Sequence, residues 1–174
     1  MHVLWRYPIQ GNATSGGGSV NTPPFIIRPV EASDVSWLAR DCWPHLTTMQ
    51  VKAYMRRIAL FQPRMQALIV VTTMQALGYG QVYQRRNHVA EISDLIVNVH
   101  HRSQGVGTAL ITALAETAAT WPIHWMEIGV AARNTRAHDL YQRLGFTWTY
   151  DRAYDLGDGL ETVHYLRRRA HPEG

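Results

Sequence analysis

The feature that most constrains this chain is a junction between a strand and a helix that is built around two glycines. The run AEISDLIVNV (90–99) predicts a strand, and TALITALAETAA (108–119) predicts a helix. Between them lies RSQGVGTA, in which Gly105 and Gly107 remove side chains from the backbone. A helix N-terminus offers N–H groups without intrahelical partners and a partial positive charge. The junction therefore predicts either a phosphate-binding loop or a tight turn without a ligand.

Two common nucleotide-binding motifs do not fit this loop. A dinucleotide fingerprint needs a third glycine, but Leu110 stands at that position. A triphosphate loop needs a lysine at the helix start, and Lys52, the only lysine of the chain, is distant in sequence. A Schiff-base cofactor would also have to use Lys52, which falls on a predicted helix. On these residues alone, a pyrophosphate cradle and a structural turn both stay open.

Composition limits the class of protein. An apolar share of 46% over 174 residues predicts one domain with a packed core. No apolar run reaches the roughly 18 residues of a membrane span, so we expect no membrane association. Cys42 is the only cysteine, which excludes an internal disulfide and favours the cytoplasm. The net charge of +4 comes from dispersed arginines, so we expect a solvated surface and no nucleic-acid partner.

The order of predicted elements indicates an α/β fold with a mixed sheet. Residues 1–24 are rich in Gly, Ser, Thr and Pro and predict a flexible arm, residues 25–169 form the domain, and residues 170–174 form a tail. Strands are predicted at 25–30, 67–73, 77–84, 89–99, 123–131, 146–156 and 161–169. Helices are predicted at 35–43 after the capping residue Asp34, at 48–61, at 108–119, and at 135–145 with Gly145 as the stop.

Two motifs in this order resemble the signature motifs of the GNAT acetyltransferase superfamily. Arg102-x-x-Gly105-x-Gly107, after a strand ending in Leu95-Ile96-Val97, resembles its acetyl-CoA-binding motif. The second motif is matched by Val130-x-x-x-Asn134-x-x-Ala137-x-x-x-Tyr141-x-x-x-Gly145-Phe146. Val99 is a departure, because the family often has a proline there. The resemblance covers residues 25–169 and implies a mostly antiparallel sheet of about seven strands, splayed between strands 4 and 5 and flanked by about four helices.

The resemblance implies acetyl-CoA as cosubstrate and no other cofactor. Its pantetheine arm is expected to pair with the backbone of Leu95, Ile96 and Val97, and Asn134 is expected to hydrogen-bond near it. Arg102 is expected to add a positive charge beside the pyrophosphate. The backbone amides expected to bind the pyrophosphate are those of Gln104, Gly105, Val106, Gly107 and Thr108.

The resemblance also implies catalytic residues. Glu91 stands where the histone-acetyltransferase branch carries its catalytic glutamate and is expected to be the general base. Tyr141 is expected to protonate the departing thiolate. Strand alternation predicts that Glu91 shares a face with Leu95 and Val97 while Asp94 points to the other. Glu127 on the fifth strand is a rival base, and a water chain is a third alternative.

The expected function is transfer of acetyl from acetyl-CoA to a primary amine of a small molecule or a peptide, in a ternary complex. The helices of residues 35–61 and the final hairpin are expected to line the acceptor side, where acidic residues of the hairpin could attract a cation: Asp151, Asp155, Asp158 and Glu161. The alternative is a non-catalytic acyl-CoA-binding module. No spacing of His and Cys supports a metal site, and a homodimer stays open.

Overall fold

The computed structural model describes residues 25–60, 64–155 and 159–171. Its strands are β1 (Ile26–Pro29), β2 (Met65–Val71), β3 (Ala76–Arg86), β4 (His88–Val97), β5 (Ile123–Ala131), β6 (Thr147–Asp155) and β7 (Leu160–Arg169). Its helices are α1 (Val35–Trp37), α2 (Thr48–Ala59), α3 (Val106–Ala119) and α4 (Thr135–Arg143). The predicted arm, the predicted end of the second helix at Phe61, Asp158 and residues 172–174 of the tail lie outside the described residues.

The strands form one sheet in the order β1-β2-β3-β4-β5-β7-β6. β1 pairs antiparallel with β2, and β7 pairs antiparallel with both β5 and β6. β4 runs parallel to β5 over the registers from His88↔Ile123 to Ile92↔Ile128. A parallel pair needs a crossover connection, which α3 supplies. The predicted α/β fold with a mixed, mostly antiparallel sheet of seven strands and four helices is confirmed.

The described chain divides into two compact units. The first contains the described residues up to Gln81 together with Asp94–Leu114, and the second contains Val82–Ser93 and the described residues from Ala115 onward. The strands β3 and β4 and the helix α3 each contribute to both units. None of the described helices is both long and apolar enough to cross a membrane.

In the first unit, α3 packs directly on β3 because two positions of β3 are glycine. A Cβ atom on Gly78 would lie 2.9 Å from the carbonyl oxygen of Ile96 and 3.2 Å from Val106 Cγ1. A Cβ atom on Gly80 would lie 2.9 Å from Leu114 Cδ1. These glycines therefore set how closely the helix approaches the strand. The sequence reasoning missed them, although glycines inside a strand pattern signal close approach of another group.

The first helix is less regular than predicted. Asp34, the predicted capping residue, makes no side-chain capping bond to α1, so that prediction is wrong. It lies in a 3-10 turn before α1, where its carboxylate accepts the backbone N–H of Glu31 at 2.8 Å and pairs with Arg28 at 2.6 Å. Beyond α1 the chain continues as a π-helical turn (Leu38–Cys42) instead of an α-helix. Pro44 follows, and it has no N–H to extend a helical ladder. The predicted first helix is thus confirmed as helical but wrong in its hydrogen-bond pattern.

The second helix begins at a capping box. The backbone N–H of Gln50 donates to Thr47 Oγ1 at 3.2 Å, and the backbone N–H of Thr47 donates to Gln50 Oε1 at 2.8 Å. Within α2, Val51 is fully buried and Tyr54 is half-buried. The helix therefore presents the Tyr54 ring and hydroxyl to the first unit.

In the second unit, the predicted glycine, Gly145, lies two residues beyond Arg143, the last residue of α4, and terminates the helix. Gly145 has a φ of +83°, a conformation that glycine adopts without a steric penalty. Its backbone N–H donates to the carbonyl of Gln142 at 2.9 Å, and that of Phe146 donates to the carbonyl of Tyr141 at 3.0 Å. These bonds satisfy carbonyls of the last helical turn, so the predicted stop is confirmed.

Candidate active site

The predicted strand–loop–helix junction is present in the first unit. β4 ends at Val97, and Asn98 then caps a 3-10 turn (Val99–His101), where its Oδ1 accepts the backbone N–H of His100 at 3.1 Å. The backbone N–H of Asn98 donates to the carbonyl of Leu77 at 2.9 Å. Asn98 thus ties the loop to β3. The sequence reasoning missed this residue, although an asparagine directly after a strand is a turn signal.

Gly105 is the position at which the loop passes into α3. Its φ is +81°, and no atom lies within 4 Å of the place where a Cβ would stand. Its carbonyl accepts the backbone N–H of Ala109 at 2.9 Å, so helical hydrogen bonding begins here. The amides of the first helical turn have no intrahelical acceptor. The loop therefore presents backbone donors beside open space, which is the geometry that a phosphate cradle requires.

Two side chains of the predicted cradle are tied to the backbone before it. Arg102 is exposed, and its Nε donates to the carbonyl of Val97 at 3.4 Å. Gln104 Nε2 donates to the carbonyl of His100 at 3.2 Å. Both therefore stay near the start of α3. The other predicted cofactor residues of this unit are Leu95, Ile96, Val97, Gly105, Val106, Gly107 and Thr108, while Asn134 belongs to the second unit.

The second unit holds the predicted base, Glu91, and its rival, Glu127, on adjacent strands. The two residues oppose each other in the register of β4 and β5. Arg85 lies between them, with Nη1 at 3.0 Å from Glu91 Oε2 and 2.5 Å from Glu127 Oε1. Glu91 is 9% exposed and Glu127 is 0% exposed. The guanidinium offsets the repulsion between two buried carboxylates. Arg85 was missed because nothing in its local sequence marks it.

Both oxygens of Glu127 are occupied. Oε1 also accepts the hydroxyl of Tyr150 at 2.9 Å. Oε2 accepts Arg167 Nε at 2.6 Å and lies 3.5 Å from Arg86 Nη2. A fully buried carboxylate with donors on both oxygens is typical of a structural ion-pair centre. This geometry disfavours Glu127 as the rival base.

Asp94 interrupts the strand alternation used to place the side chains of β4. Its φ is +51°, outside the extended region, so the period of two does not continue through it. Leu95 Cδ2 lies 2.7 Å from the place where a Cβ of Gly80 would stand, so Leu95 faces the glycines of β3. The prediction placed Leu95 and Val97 on the same face as Glu91 by assuming an unbroken period of two along β4. That assumption is wrong, because Asp94 breaks the period.

Tyr141, the predicted acid, lies on α4 and is 7% exposed. Burial raises the pKa of its hydroxyl to about 12, so the phenol keeps its proton at neutral pH. Its ring lies 6.4 Å from that of Phe146 between centroids. The protonated state is the one that a general acid needs. A tyrosine of the core would be buried in the same way, so the role itself stays a prediction.

Asn134, predicted to contact the pantetheine, is the N-cap of α4. Its Oδ1 accepts the backbone N–H of Ala137 at 3.2 Å, and its own N–H donates to the carbonyl of Ala131 at 2.8 Å. Its side chain is exposed. Helix capping accounts for an asparagine here, and the cofactor contact stays a prediction.

Across the described part of the chain, no group of three or more His, Cys, Asp or Glu is arranged to hold a metal ion.

A family model for the acetyltransferase (GNAT) family matches residues 32–146, which is well over half of the chain. An uncharacterized N-acetyltransferase from Methanocaldococcus jannaschii is 38% identical over 61 residues. That match covers 35% of this chain and 27% of the relative, so the chain spans about a quarter of the relative's length.

Solved structures share the fold. A proposed acetyltransferase from Salmonella typhimurium, solved with its cofactor acetyl-CoA, has a TM-score of 0.71 at 19% identity and covers 86% of this chain and 96% of its own. The ribosomal-protein-S18-alanine N-acetyltransferase from Escherichia coli has a TM-score of 0.69 at 20% identity, with the same coverage of 86% and 96%. A spermidine/spermine N-acetyltransferase from Vibrio cholerae has a TM-score of 0.68 at 14% identity, covering 84% and 92%. Since the family model matches most of the described domain, this chain belongs to the GNAT family of acetyltransferases.

Proposed function

We propose that this protein is an N-acetyltransferase that moves the acetyl group of acetyl-CoA to a primary amine by direct attack in a ternary complex. The observation that carries the proposal is the loop at Gly105, which places helix N-terminal amides beside open space in a chain of the GNAT family. The Salmonella structure of the same fold holds acetyl-CoA. The cytoplasm is the proposed location, and the acceptor is a small-molecule or peptide amine.

The residues of the loop fit a pyrophosphate. Two linked phosphates need several donors at close range and little side-chain bulk. The backbone amides from Gln104 to Thr108 supply donors, and Gly105 leaves the space beside them clear. The guanidinium of Arg102 is exposed and adds a positive charge. In the proposal these groups hold the nucleotide end of acetyl-CoA.

The chemistry sets the roles of the remaining residues. An alkyl ammonium has a pKa of about 10.4, so it must lose a proton before it attacks. Glu91 takes this proton, directly or through water. The amine nitrogen then bonds to the acetyl carbon while backbone N–H groups of β4 stabilise the oxyanion. When the carbon–sulfur bond breaks, Tyr141 gives its proton to sulfur, and its phenolate takes up, directly or through water, the second proton that the attacking nitrogen must release to become the neutral amide.

The test is a measurement of acetyl-CoA binding followed by a turnover screen. Acetyl-CoA at 100 times its dissociation constant should stabilise the fold by about 2.7 kcal/mol in a thermal-shift assay. Release of free thiol should depend on a primary amine from a broad panel. Glu91→Gln should lower kcat for that amine by about 10²-fold or more, with little change in acetyl-CoA binding, because it removes the base and leaves the loop intact.

The outcomes separate the two candidate functions. Failure of acetyl-CoA to bind at millimolar concentration would show that both are wrong. Tight binding without thiol release across the panel would support the non-catalytic acyl-CoA-binding module instead. Unchanged turnover in Glu91→Gln would leave the transferase activity in place and move the base to a water chain.

A further inference from the structure

A second polar cluster lies in the first unit, on side chains that the proposed reaction does not use. Its centre is Asp94, an exposed carboxylate on β4. The hydroxyl of Tyr54, on α2, donates to Asp94 Oδ2, and Gln81 Nε2, on β3, donates to the same oxygen at 2.6 Å. Behind them, the hydroxyl of Tyr79 donates to Gln81 Oε1 at 3.1 Å. Donors from two elements, α2 and β3, thus converge on one carboxylate oxygen of β4.

The groups behind Asp94 are buried and packed against an aromatic ring. Tyr79 is 0% exposed and Gln81 is 4% exposed. Trp43 packs against the rings of Tyr54 and Tyr79, with centroids 5.4 and 4.7 Å apart. Burial raises the pKa of both tyrosines, so their hydroxyls remain donors at neutral pH. The cluster therefore fixes the orientation of Asp94 while leaving its carboxylate at the surface.

Asp94 forms no ion pair with a basic side chain of the described residues. Two other carboxylates of this unit pair with arginine, Asp34 with Arg28 at 2.6 Å and Asp41 with Arg40 at 2.7 Å. Asp94 is held by neutral donors, and the ion pairs of the described residues do not include it. The neighbouring Arg57 lies over the Tyr54 ring, 5.9 Å from its centroid. A surface carboxylate that is held in place and forms no ion pair with the described residues attracts a cation.

We propose that Asp94 anchors a positively charged group of the acceptor, and that the acceptor carries at least one such group besides the amine that is acetylated. This inference rests on the proposed N-acetyltransferase function. The reacting nitrogen must be neutral when it attacks, so it does not supply a charge that lasts through the reaction. A second ammonium does, as in a diamine or polyamine. Tyr54 and Gln81 are positioning residues that act through Asp94.

The test compares binding of spermidine, as a multiply charged probe, with that of n-butylamine, as a singly charged one. Asp94→Asn removes the charge but keeps an oxygen acceptor, and asparagine tolerates a positive φ, so the fold should be retained. Calorimetry in the presence of CoA should show spermidine binding about 10-fold or more weaker in this variant. Binding of n-butylamine should change less. Tyr54→Phe, which loosens the carboxylate, should weaken spermidine binding by a smaller factor.

Glu116→Gln, an exposed residue of α3, is the control for a general change of charge and should leave spermidine binding unchanged. In turnover, Asp94→Asn should raise KM for spermidine with kcat nearly constant. Equal spermidine binding in wild type and Asp94→Asn, or no binding to wild type, would overturn the proposal. A fall in kcat at constant KM would overturn it too, since Asp94 would then be a base. Because calorimetry measures spermidine binding without turnover, it tests the role of Asp94 even if the protein transfers no acetyl group.

Discussion

Replacement of Gly105 by alanine separates the backbone role of this residue from its proposed role in the cradle. At a φ of +81°, an L-residue pays a steric penalty of roughly 1–2 kcal/mol. Since no atom lies within 4 Å of the added Cβ, the fold itself imposes no clash. For a chain of this length, 1 kcal/mol corresponds to a fall in Tm of about 2–4 °C. The fold should therefore survive the change.

The effect on ligand binding should exceed the effect on stability. The new methyl group would stand in the open space where the proposal puts the pyrophosphate. A forced contact there costs about 1–3 kcal/mol. At 1.4 kcal/mol per factor of ten, this weakens CoA binding by about 5- to 150-fold. Titration calorimetry with CoA, run well below the Tm of the variant, measures this loss directly.

Gly145→Ala is the matched control. Gly145 has a φ of +83° and equally open surroundings, but it ends α4 in the second unit. It should lose about the same stability as Gly105→Ala and retain wild-type affinity for CoA. Wild-type affinity in Gly105→Ala, or an equal loss of affinity in both variants, would refute the cradle.

Three further predictions test the described geometry. Tyr141→Phe should lower kcat by about 10²-fold with CoA affinity unchanged, and a variant with full activity would exclude the acid role. Because burial raises the pKa of Tyr141 to about 12, the kcat of the wild type should not decline through ionisation of this residue between pH 8 and 10. Glu127→Gln should lower the free energy of unfolding in denaturant by about 3 kcal/mol, because it leaves Arg85 and Arg167 without their buried partner; a loss under about 1 kcal/mol would contradict the structural role. Gly80→Ala should lower the free energy of unfolding by about 1–3 kcal/mol, because the added methyl group overpacks against α3. The loss should exceed that of Gly129→Ala, where the nearest atom to the added Cβ is 3.2 Å away. The reverse order would contradict the close packing of α3 on β3 at Gly80.

Much of the fold was predictable because its signals are local. The seven strands and the mixed sheet follow from runs of β-branched residues and short turns. Gly145 marks the end of α4 because only a residue that tolerates a positive φ fits there. The first helix was predicted less well, since nothing short-range distinguishes its π-helical turn from an α-helix.

By itself, the sequence determined the strand–loop–helix junction at Gly105 and the placement of Tyr141 on a helix, because each depends on neighbours a few residues away. Only the tertiary structure decided which groups surround each carboxylate. Glu127 is paired with arginines from β3 and β7, strands that are distant from β5 in the sequence, while Asp94 interrupts the strand alternation and accepts hydrogen bonds from Tyr54 and Gln81. The physical reason is that the charge balance of a buried or fixed carboxylate depends on groups brought close by folding, and sequence separation does not encode that proximity.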